Sequence, residues 1–276
     1  MKSPLRYPGG KTRAVKHILP YIPENCKELC APFLGGASVE LAVAARATRV
    51  YGYDVFTPIV WFWQSLLSDP HRLAALADSY RVEHTYTHKG EPVVARGLPV
   101  KDFLRFRREI AEDLENNKDF SHERAAKVYA INRSSFSGAT FSGGFSKRAS
   151  YARFTDSSIT RVRAFKQPNL LVGQADFKES ISQHSDAFLY LDPPYMLAEG
   201  RNKLYGVKGS THDGFDHEGL CSLLKDRRNW VMSYNDHPHL REMYKEHTIL
   251  NAQWAYGMNK SKKSSEILII CRGNND

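Results

Sequence analysis

The chain has 276 residues, and its 39 Lys and Arg outnumber its 30 Asp and Glu to give a net charge of +9, which favours a polyanionic partner. Its 25% of charged and 42% of hydrophobic residues are typical of a globular protein and exclude a disordered or fibrous chain. No apolar run approaches the ~18 residues of a membrane span, and residues 1–11 contain no apolar signal region, so we expect a cytoplasmic protein without a membrane partner.

A Pro-Gly-Gly turn near the start of the sequence lies between two cations, Arg6 and Lys11. The glycines allow the backbone to approach a ligand closely, and the cations are suited to a carboxylate or a phosphate. A surface turn between two solvated cations is the alternative interpretation, and the turn taken alone favours it.

A glycine loop over 34–38 follows a strand predicted over 28–33 and precedes a helix predicted over 39–47. A strand, a glycine turn and a helix N-terminus form the usual cradle for the polar end of a nucleotide-like cofactor. No third glycine follows this loop in GxGxxG spacing, and no Gly-Lys-Ser/Thr follows it, which argues against the dinucleotide and P-loop motifs. The next predicted strand, 49–53, ends at Asp54, which is placed to accept hydrogen bonds from ribose hydroxyls, to cap the following helix, or to do both.

The pattern changes between residues 69 and 167. We expect helices over 72–80, 101–116 and 123–131, with a polar loop over 84–97. Because Gly, Ser and Thr dominate residues 132–148, this stretch predicts a long, shaped loop with little core of its own.

Positive charge and aromatic rings are concentrated in residues 127–166, which contain eight Lys and Arg against one acid, Asp156. Between residues 133 and 156, five aromatic residues are interleaved with the cations, namely Phe136, Phe141, Phe145, Tyr151 and Phe154. Cations for phosphates and rings for bases are the usual combination on a nucleic-acid-binding surface. The alternative is a disordered basic linker, but linkers seldom carry five aromatic residues. The composition therefore favours a nucleic-acid contact.

The α/β pattern resumes after residue 168, and an apolar strand predicted over 187–191 runs directly into Asp192-Pro193-Pro194-Tyr195. Ligands of open α/β sheets bind beyond the carboxyl ends of such buried strands. The Asp192 carboxylate and the Pro193 carbonyl are two acceptors for one exocyclic NH₂ group, and Tyr195 offers a flat face for a base. The four residues alone fit a strand-ending turn equally well.

The sequence thus predicts an α/β protein whose parallel-sheet core, residues 1–68 and 168–276, is interrupted by a basic insertion over 69–167. We also expect a lid over 198–213 and a basic loop around 260–263. The four cysteines form no CxxC pair, so we expect reduced thiols and no bound metal.

Taken in this order, the motifs resemble those of the Dam-type (D12 class) adenine-N6 DNA methyltransferases, which use S-adenosylmethionine. Residues 192–195 match the catalytic motif of that family, residues 6–11 its N-terminal cofactor motif and residues 32–38 its glycine loop. The resemblance implies a Rossmann-like S-adenosylmethionine-dependent methyltransferase core with a helical and loop-rich target-recognition insertion. It implies a catalytic role for Asp192, Pro193, Pro194 and Tyr195. It implies cofactor binding by Tyr7, Lys11, Phe33, Gly35, Gly36, Ala37, Ser38, Asp54, Val55, Asp176, Phe177 and Asp192, with Lys11 pairing with the cofactor carboxylate.

Residues 132–154 occupy the place of the target-recognition hairpin of the family. We expect the DNA contacts to come from Arg6, Arg133, Phe136, Ser137, Phe141, Lys147, Arg148 and Arg153, with the cations on phosphates and the phenylalanines stacking or wedging among bases. Two departures lie near the glycine loop: Ala31 stands where the family usually has an acid, and Ala37 replaces the last glycine of its most common form. Because Phe136-Ser137 replaces the Tyr-Asn of the GATC enzymes and Phe141 replaces their base-reading arginine, we do not expect GATC specificity.

The resemblance implies transfer of a methyl group to the N6 amino group of adenine in double-stranded DNA at a short specific sequence, after the base has left the stack. It implies a bacterial or phage-type protein that associates with the nucleoid, acting as a monomer, with a dimer as the alternative. Two other functions stay open: an amino-methyltransferase on cytosine N4 or on RNA, and a catalytically silent DNA-binding protein with the same fold.

Overall fold

The computed structural model describes residues 2–46, 48–88, 90–196, 214–252 and 266–271 of the chain. The lid and the basic loop expected over 198–213 and around 260–263 lie outside these residues. The strands are β1 (Glu28–Ala31), β2 (Arg49–Asp54), β3 (Val82–His88), β4 (Glu91–Gly97), β5 (Leu170–Gln174), β6 (Phe188–Leu191), β7 (Trp230–Asn235), β8 (Thr248–Asn251) and β9 (Glu266–Cys271).

The α-helices of the described ranges are distributed over the whole chain. They are α1 (Val15–Ile18), α2 (Ser38–Ala44), α3 (Thr57–Ser68), α4 (Pro70–Ser79), α5 (Val100–Glu115), α6 (His122–Ser134), α7 (Lys147–Arg153), α8 (Asp156–Arg163), α9 (Phe177–Gln183), α10 (His217–Leu224) and α11 (Pro238–Met243). Short 3-10 turns lie at Lys11–Arg13, Leu19–Tyr21 and Phe136–Gly138. Among the helices that the structure describes, none is both long and apolar enough to cross a membrane.

A seven-stranded sheet with the order β5-β2-β1-β6-β7-β9-β8 forms the centre of the molecule. The first five strands run parallel, while β9 is antiparallel to both of its neighbours. All four residues of β6 are buried, as expected for a central strand of a parallel sheet covered on both faces. This mostly parallel sheet, with helices between its strands, confirms the predicted α/β, Rossmann-like fold.

The strand order fixes where a ligand can bind. From β1 the chain moves outward to β2 on one side, and β6 then pairs with the other side of β1. Such a reversal of direction is the topological switch point, and the crevice beyond the carboxyl ends of the strands at this point is the usual ligand site of an open α/β sheet. The residues that follow β1 and β6 are the glycine loop and Asp192.

Residues 69–167 fold into α4 to α8 together with the β3–β4 hairpin. Helix α6 is central to this part and packs against α3, α4, α5 and α7. The rings of Phe62 on α3 and Tyr129 on α6 are both buried and stack with centroids 5.5 Å apart. One hydrophobic cluster runs from the sheet through these rings into the helices of the insertion. The insertion therefore shares its core with the sheet.

The expected loop over 84–97 is wrong, because β3 and β4 form an antiparallel ribbon over this stretch. Val82 lies opposite Gly97, and His88 lies opposite Glu91. β3 is rich in β-branched and aromatic residues, which favour strands. Gly90 completes the turn with a φ of 90°. The prediction gave the polar residues of the stretch more weight than these strand-favouring residues.

Residues 132–148 are more ordered than a loop with little core. Helix α6 continues to Ser134, and Ser135 then forms a β-bridge with Phe145. The Phe141 ring packs edge-on against Phe56, with centroids 5.7 Å apart, and belongs to the main hydrophobic cluster. The glycines and serines of the stretch are turn residues around a buried aromatic anchor.

Candidate active site

A cavity of about 380 Å³ lies at the switch point, where β1, β2 and β6 end. Every residue predicted to act in catalysis or to bind the cofactor lines it: Tyr7, Lys11, Phe33, Gly35, Gly36, Ala37, Ser38, Asp54, Val55, Asp176, Phe177, Asp192, Pro193, Pro194 and Tyr195. Their roles stay predictions, but the structure brings them together. Glu40 and Phe215 also line the cavity, and the sequence analysis did not single them out.

The glycine loop is held in a strained turn against Tyr7. Gly35 has a φ of 43° and Ala37 a φ of 51°. A Cβ atom on Gly35 or on Gly36 would lie 2.8 Å from atoms of the Tyr7 side chain, so no larger residue fits at either position. Ala37 adopts a left-handed conformation. The glycine usual at this position in the family would adopt it freely, whereas it costs an alanine about 1–2 kcal/mol.

Asp54 ties the end of β2 to the glycine loop. Its Oδ2 accepts a hydrogen bond from the Gly35 N–H (2.9 Å), and its Oδ1 accepts one from the Phe56 N–H (2.9 Å). Burial raises the pKa of the Asp54 carboxyl, and these backbone donors offset part of that rise. The carboxylate thus shapes the loop and the start of α3, and each oxygen still has a second lone pair for a ligand hydroxyl.

Asp192 is paired with Lys11 at the bottom of the cavity. The Lys11 Nζ lies 2.6 Å from Oδ1 and 2.8 Å from Oδ2, and the Ser233 hydroxyl donates to Oδ1 at 2.9 Å. Burial raises the pKa of Asp192, whereas the Lys11 ammonium and the Ser233 hydroxyl lower it. The ammonium expected to pair with the cofactor carboxylate therefore contacts the carboxylate of the catalytic motif in this structure.

The segment after Asp192 is fastened to the last strands of the sheet. The Tyr195 hydroxyl donates to the Glu266 carboxylate at the start of β9 and lies 3.0 Å from the Lys11 Nζ. The Asn235 side chain accepts from the Met196 N–H (2.9 Å) and donates to the Met196 carbonyl (2.8 Å). Asn235 and Glu266 are site residues that the sequence analysis missed. Both residues are polar and lie at strand ends, and β7 and β9 follow β6 in the strand order. These polar strand ends were the signal in the sequence that could have identified them.

Aromatic rings line the cavity on the side of Phe177, which follows β5, three strands away in the sheet from β6 and Asp192. Phe33 and Phe177 stack with centroids 6.0 Å apart, and Phe215 contacts both rings at 5.6 Å and 5.3 Å. The Val55 side chain is 54% exposed beside them. Asp176 caps α9 by accepting from the Glu179 N–H at 2.8 Å. The cavity thus has an apolar, ring-lined end and a charged end.

Comparison with known proteins decides the family. Residues 7–258 match the family model described as D12 class N6 adenine-specific DNA methyltransferase. The chain belongs to this family. It is also 24% identical over 310 residues to modification methylase StsI of Streptococcus sanguinis, an alignment that covers 98% of this chain and 42% of that protein. The chain therefore spans less than half the length of this curated relative. The family proposed from the motifs is confirmed.

In this D12-class chain, the residues predicted to contact DNA fall into two groups. Phe136 is 70% exposed, and Ser137, Lys147, Arg148 and Arg153 are also exposed. Phe141 and Arg133 are buried. Because Phe141 packs against Phe56, its ring is not presented to a base, which favours a packing role over the expected wedge.

Arg133 uses its guanidinium inside the protein. Its Nε donates to the Arg153 carbonyl at 2.7 Å, its Nη2 donates to the same oxygen, and its Nη1 donates to the Pro4 carbonyl at 3.3 Å. Arg6 is half-buried and donates to the Ser135 carbonyl at 3.1 Å. Burial, together with the charges of Arg133 and Arg153, lowers the pKa of Arg6 to about 10. The structure thus favours a scaffolding role for Arg133 over the expected phosphate contact.

Asn132, buried at the end of α6, joins the N-terminal motif to the turn that follows α6. Its Oδ1 accepts from the Arg6 N–H at 3.0 Å. Its Nδ2 lies within hydrogen-bond distance of the carbonyls of Arg6 (2.7 Å) and Gly138 (3.1 Å) and of the Thr140 hydroxyl (2.9 Å). The Asn132 side chain therefore fixes the position of the turn that carries Phe136 relative to the backbone of Arg6.

Proposed function

We propose that the protein transfers the methyl group of S-adenosylmethionine to the N6 amino group of adenine in double-stranded DNA at a short specific sequence. The observation that carries this proposal is the position of Asp192 and Pro193 in the cavity at the switch point, beside the glycine loop. Membership of the D12 class supports the reaction. The family description supports DNA as the substrate, and the relative from Streptococcus sanguinis, named a modification methylase, supports methyl transfer.

The cavity suits S-adenosylmethionine in size and in chemistry. Its volume lies in the range of small-molecule sites, about 300–1,000 Å³. We infer that Asp54 binds the ribose hydroxyls, that Val55 and Phe177 enclose the adenine, and that Asp176 accepts from its amino group. The backbone of Gly35 and Gly36 would border the part of the cofactor that lies between the ring-lined end and the charged end of the cavity. When bound, the cofactor supplies an electrophilic methyl group on a sulfonium.

The residues of the catalytic motif would act on the target amino group. An adenine flipped out of the duplex would stack on Tyr195, and its NH₂ would donate to the Asp192 carboxylate and the Pro193 carbonyl. These acceptors stabilise the positive charge that develops on the nitrogen during the transfer. Lys11 would keep the buried Asp192 ionised, and Asn235 and Glu266 would hold the segment that carries Tyr195 in position.

We infer that residues 69–167 supply target recognition. The exposed cations Lys147, Arg148 and Arg153 would contact phosphates, which fix position without reading sequence. Phe136, exposed on the 3-10 turn, would stack or wedge at the target. Because this part shares a hydrophobic core with the sheet, base reading and chemistry would keep a fixed relative geometry.

The test is expression in a host without DNA methylation, followed by mass analysis of the modified nucleosides and genome-wide mapping of their positions. We expect N6-methyladenine at one short motif with the wild type and none with Asp192→Ala, whereas Asp192→Asn, which keeps an acceptor oxygen but removes the charge, should methylate more slowly. Methylation of cytosine N4 or of RNA would support the alternative amino-methyltransferase. DNA binding with no cofactor-dependent methylation would identify a silent DNA-binding protein.

A further inference from the structure

Glu40 is a buried acid inside the cavity that the proposed mechanism does not use. It lies in the first turn of α2, directly after the glycine loop, and is only 2% exposed. It lines the same cavity as Lys11 and Asp192. A carboxylate in such a place is costly unless a cation or several donors compensate it.

The protein gives Glu40 little compensation. Burial and the nearby Asp192 raise the pKa of its carboxyl to about 8, while its own N–H, Lys11 and the Val39 N–H oppose the rise. Lys11 is already in direct contact with Asp192. Among the residues that the structure describes, no Lys, Arg or His lies within 4 Å of the Glu40 carboxylate. The site thus holds a carboxyl group whose charged form lacks a cationic partner of its own.

The two ends of the cavity orient the expected ligand. The rings of Phe33, Phe177 and Phe215 suit its adenine. The amino-acid portion then extends past the glycine loop to the charged end, where Glu40 lies. Of the two positive groups on S-adenosylmethionine, the α-ammonium has N–H donors that form charge-assisted hydrogen bonds with a carboxylate, whereas the sulfonium has none.

We infer that Glu40 binds the α-ammonium group of the methionine portion of S-adenosylmethionine. This inference rests on the proposed function. It assigns a ligand group to a side chain in the helix after the glycine loop, whereas the strand position before the loop holds the apolar Ala31.

Calorimetry with two ligands tests the assignment without methyl transfer. S-adenosylhomocysteine carries the α-ammonium, and its deaminated analogue does not. We expect Glu40→Gln to weaken S-adenosylhomocysteine binding by about 10–150-fold and to leave the affinity for the deaminated analogue unchanged. Glu109→Gln is the matched control, because it removes a half-buried negative charge that pairs with Lys127 on α6, outside the cavity, and it should leave both affinities unchanged.

Proton release gives an independent readout. At pH 7 the wild type should release close to one proton on binding S-adenosylhomocysteine, since the protonated Glu40 must ionise to pair with the ammonium. The binding enthalpy should therefore depend on the ionisation enthalpy of the buffer. This dependence should disappear in Glu40→Gln and with the deaminated analogue.

Several results would overturn the inference. These are an unchanged affinity for S-adenosylhomocysteine in Glu40→Gln, an equal loss for both ligands, and an equal loss in Glu109→Gln. A loss for S-adenosylmethionine but not for S-adenosylhomocysteine would assign Glu40 to the sulfonium instead. If the wild type binds neither compound, the proposed function itself fails, whereas tight wild-type binding that ignores Glu40 defeats only this inference. Melting temperatures of all variants verify that they are folded.

Discussion

The cavity and the basic surface around Lys147 and Arg148 both carry charged residues, but they use them in opposite ways. In the cavity, Lys11 and Asp54 are buried, and Asp192 is largely covered. Lys11 and Asp192 form an ion pair, and Asp54 accepts hydrogen bonds from the loop backbone. On the basic surface, Lys147 and Arg148 are both exposed to solvent. The first region is organised before a ligand arrives, which is the arrangement that electrostatic catalysis requires. The second offers adaptable charges, which suit a polyanion contacted along its backbone.

The difference also separates residues that look alike in the sequence. Phe136 and Phe141 lie five positions apart in one Gly/Ser-rich stretch, yet one is 70% exposed and the other 4%. Arg133 and Arg148 are both cations of the basic segment, yet only Arg133 is buried. Each pair therefore provides a variant and its matched control.

The largest expected effect concerns the two phenylalanines. Phe141→Ala should lower the free energy of unfolding by about 3–5 kcal/mol, because it opens a cavity beside Phe56. Phe136→Ala should change it by less than about 0.5 kcal/mol while lowering turnover and relaxing sequence choice. Denaturant unfolding beside methylation mapping distinguishes them. An unfolding penalty in Phe136→Ala together with an unchanged methylation motif would assign it to the core.

Lys11→Gln should lower the rate of methyl transfer at pH 7 by about 100–1,000-fold, the usual cost of one electrostatic group at a reacting centre. Lys11 lowers the pKa of Asp192, so its removal lets burial raise that pKa further. The ionised fraction of Asp192 then falls, and the acid limb of the pH–rate profile should move to higher pH. Single-turnover rates between pH 5 and 9 measure both effects. Lys16→Gln, which changes an exposed lysine of α1, is the control; an acid limb that stays in place would refute the role of Lys11.

The smallest effect separates the two arginines. Arg148→Ala should weaken binding to all duplexes alike and reduce the slope of log affinity against log salt by about one unit, with an unchanged melting temperature. Arg133→Ala should instead lower the melting temperature, because the carbonyls of Arg153 and Pro4 lose their buried donor. Salt titrations and melting curves on both variants check this. The reverse assignment of effects would restore Arg133 to the phosphate contacts.

The sequence predicts the elements whose signals are local. The strand before Asp192 is a continuous apolar run, and the glycine loop follows its strand at once, so the sheet core and the cavity lining could be identified before the structure. The β3–β4 ribbon could not be recognised by composition, because its stability depends on pairing between two polar-faced strands. The burial of Phe141 depends on Phe56, 85 positions earlier in the chain, and no local pattern records that contact. The pairing of Lys11 with Asp192 spans 181 positions, so no local sequence pattern predicts it either.

Asn132 has a consequence for attempts to transplant specificity. Its side chain bonds the main chain of Arg6 on one side and Gly138 and Thr140 on the other. The turn bearing Phe136 is therefore not a self-contained module, since its register is set by an amide from the preceding helix and by the chain entering the N-terminal motif. A graft limited to residues 135–145 would not include Asn132 and would therefore lose these hydrogen bonds. An exchange of sequence specificity between family members therefore has to transfer the turn, the end of α6 and the backbone around Arg6 together.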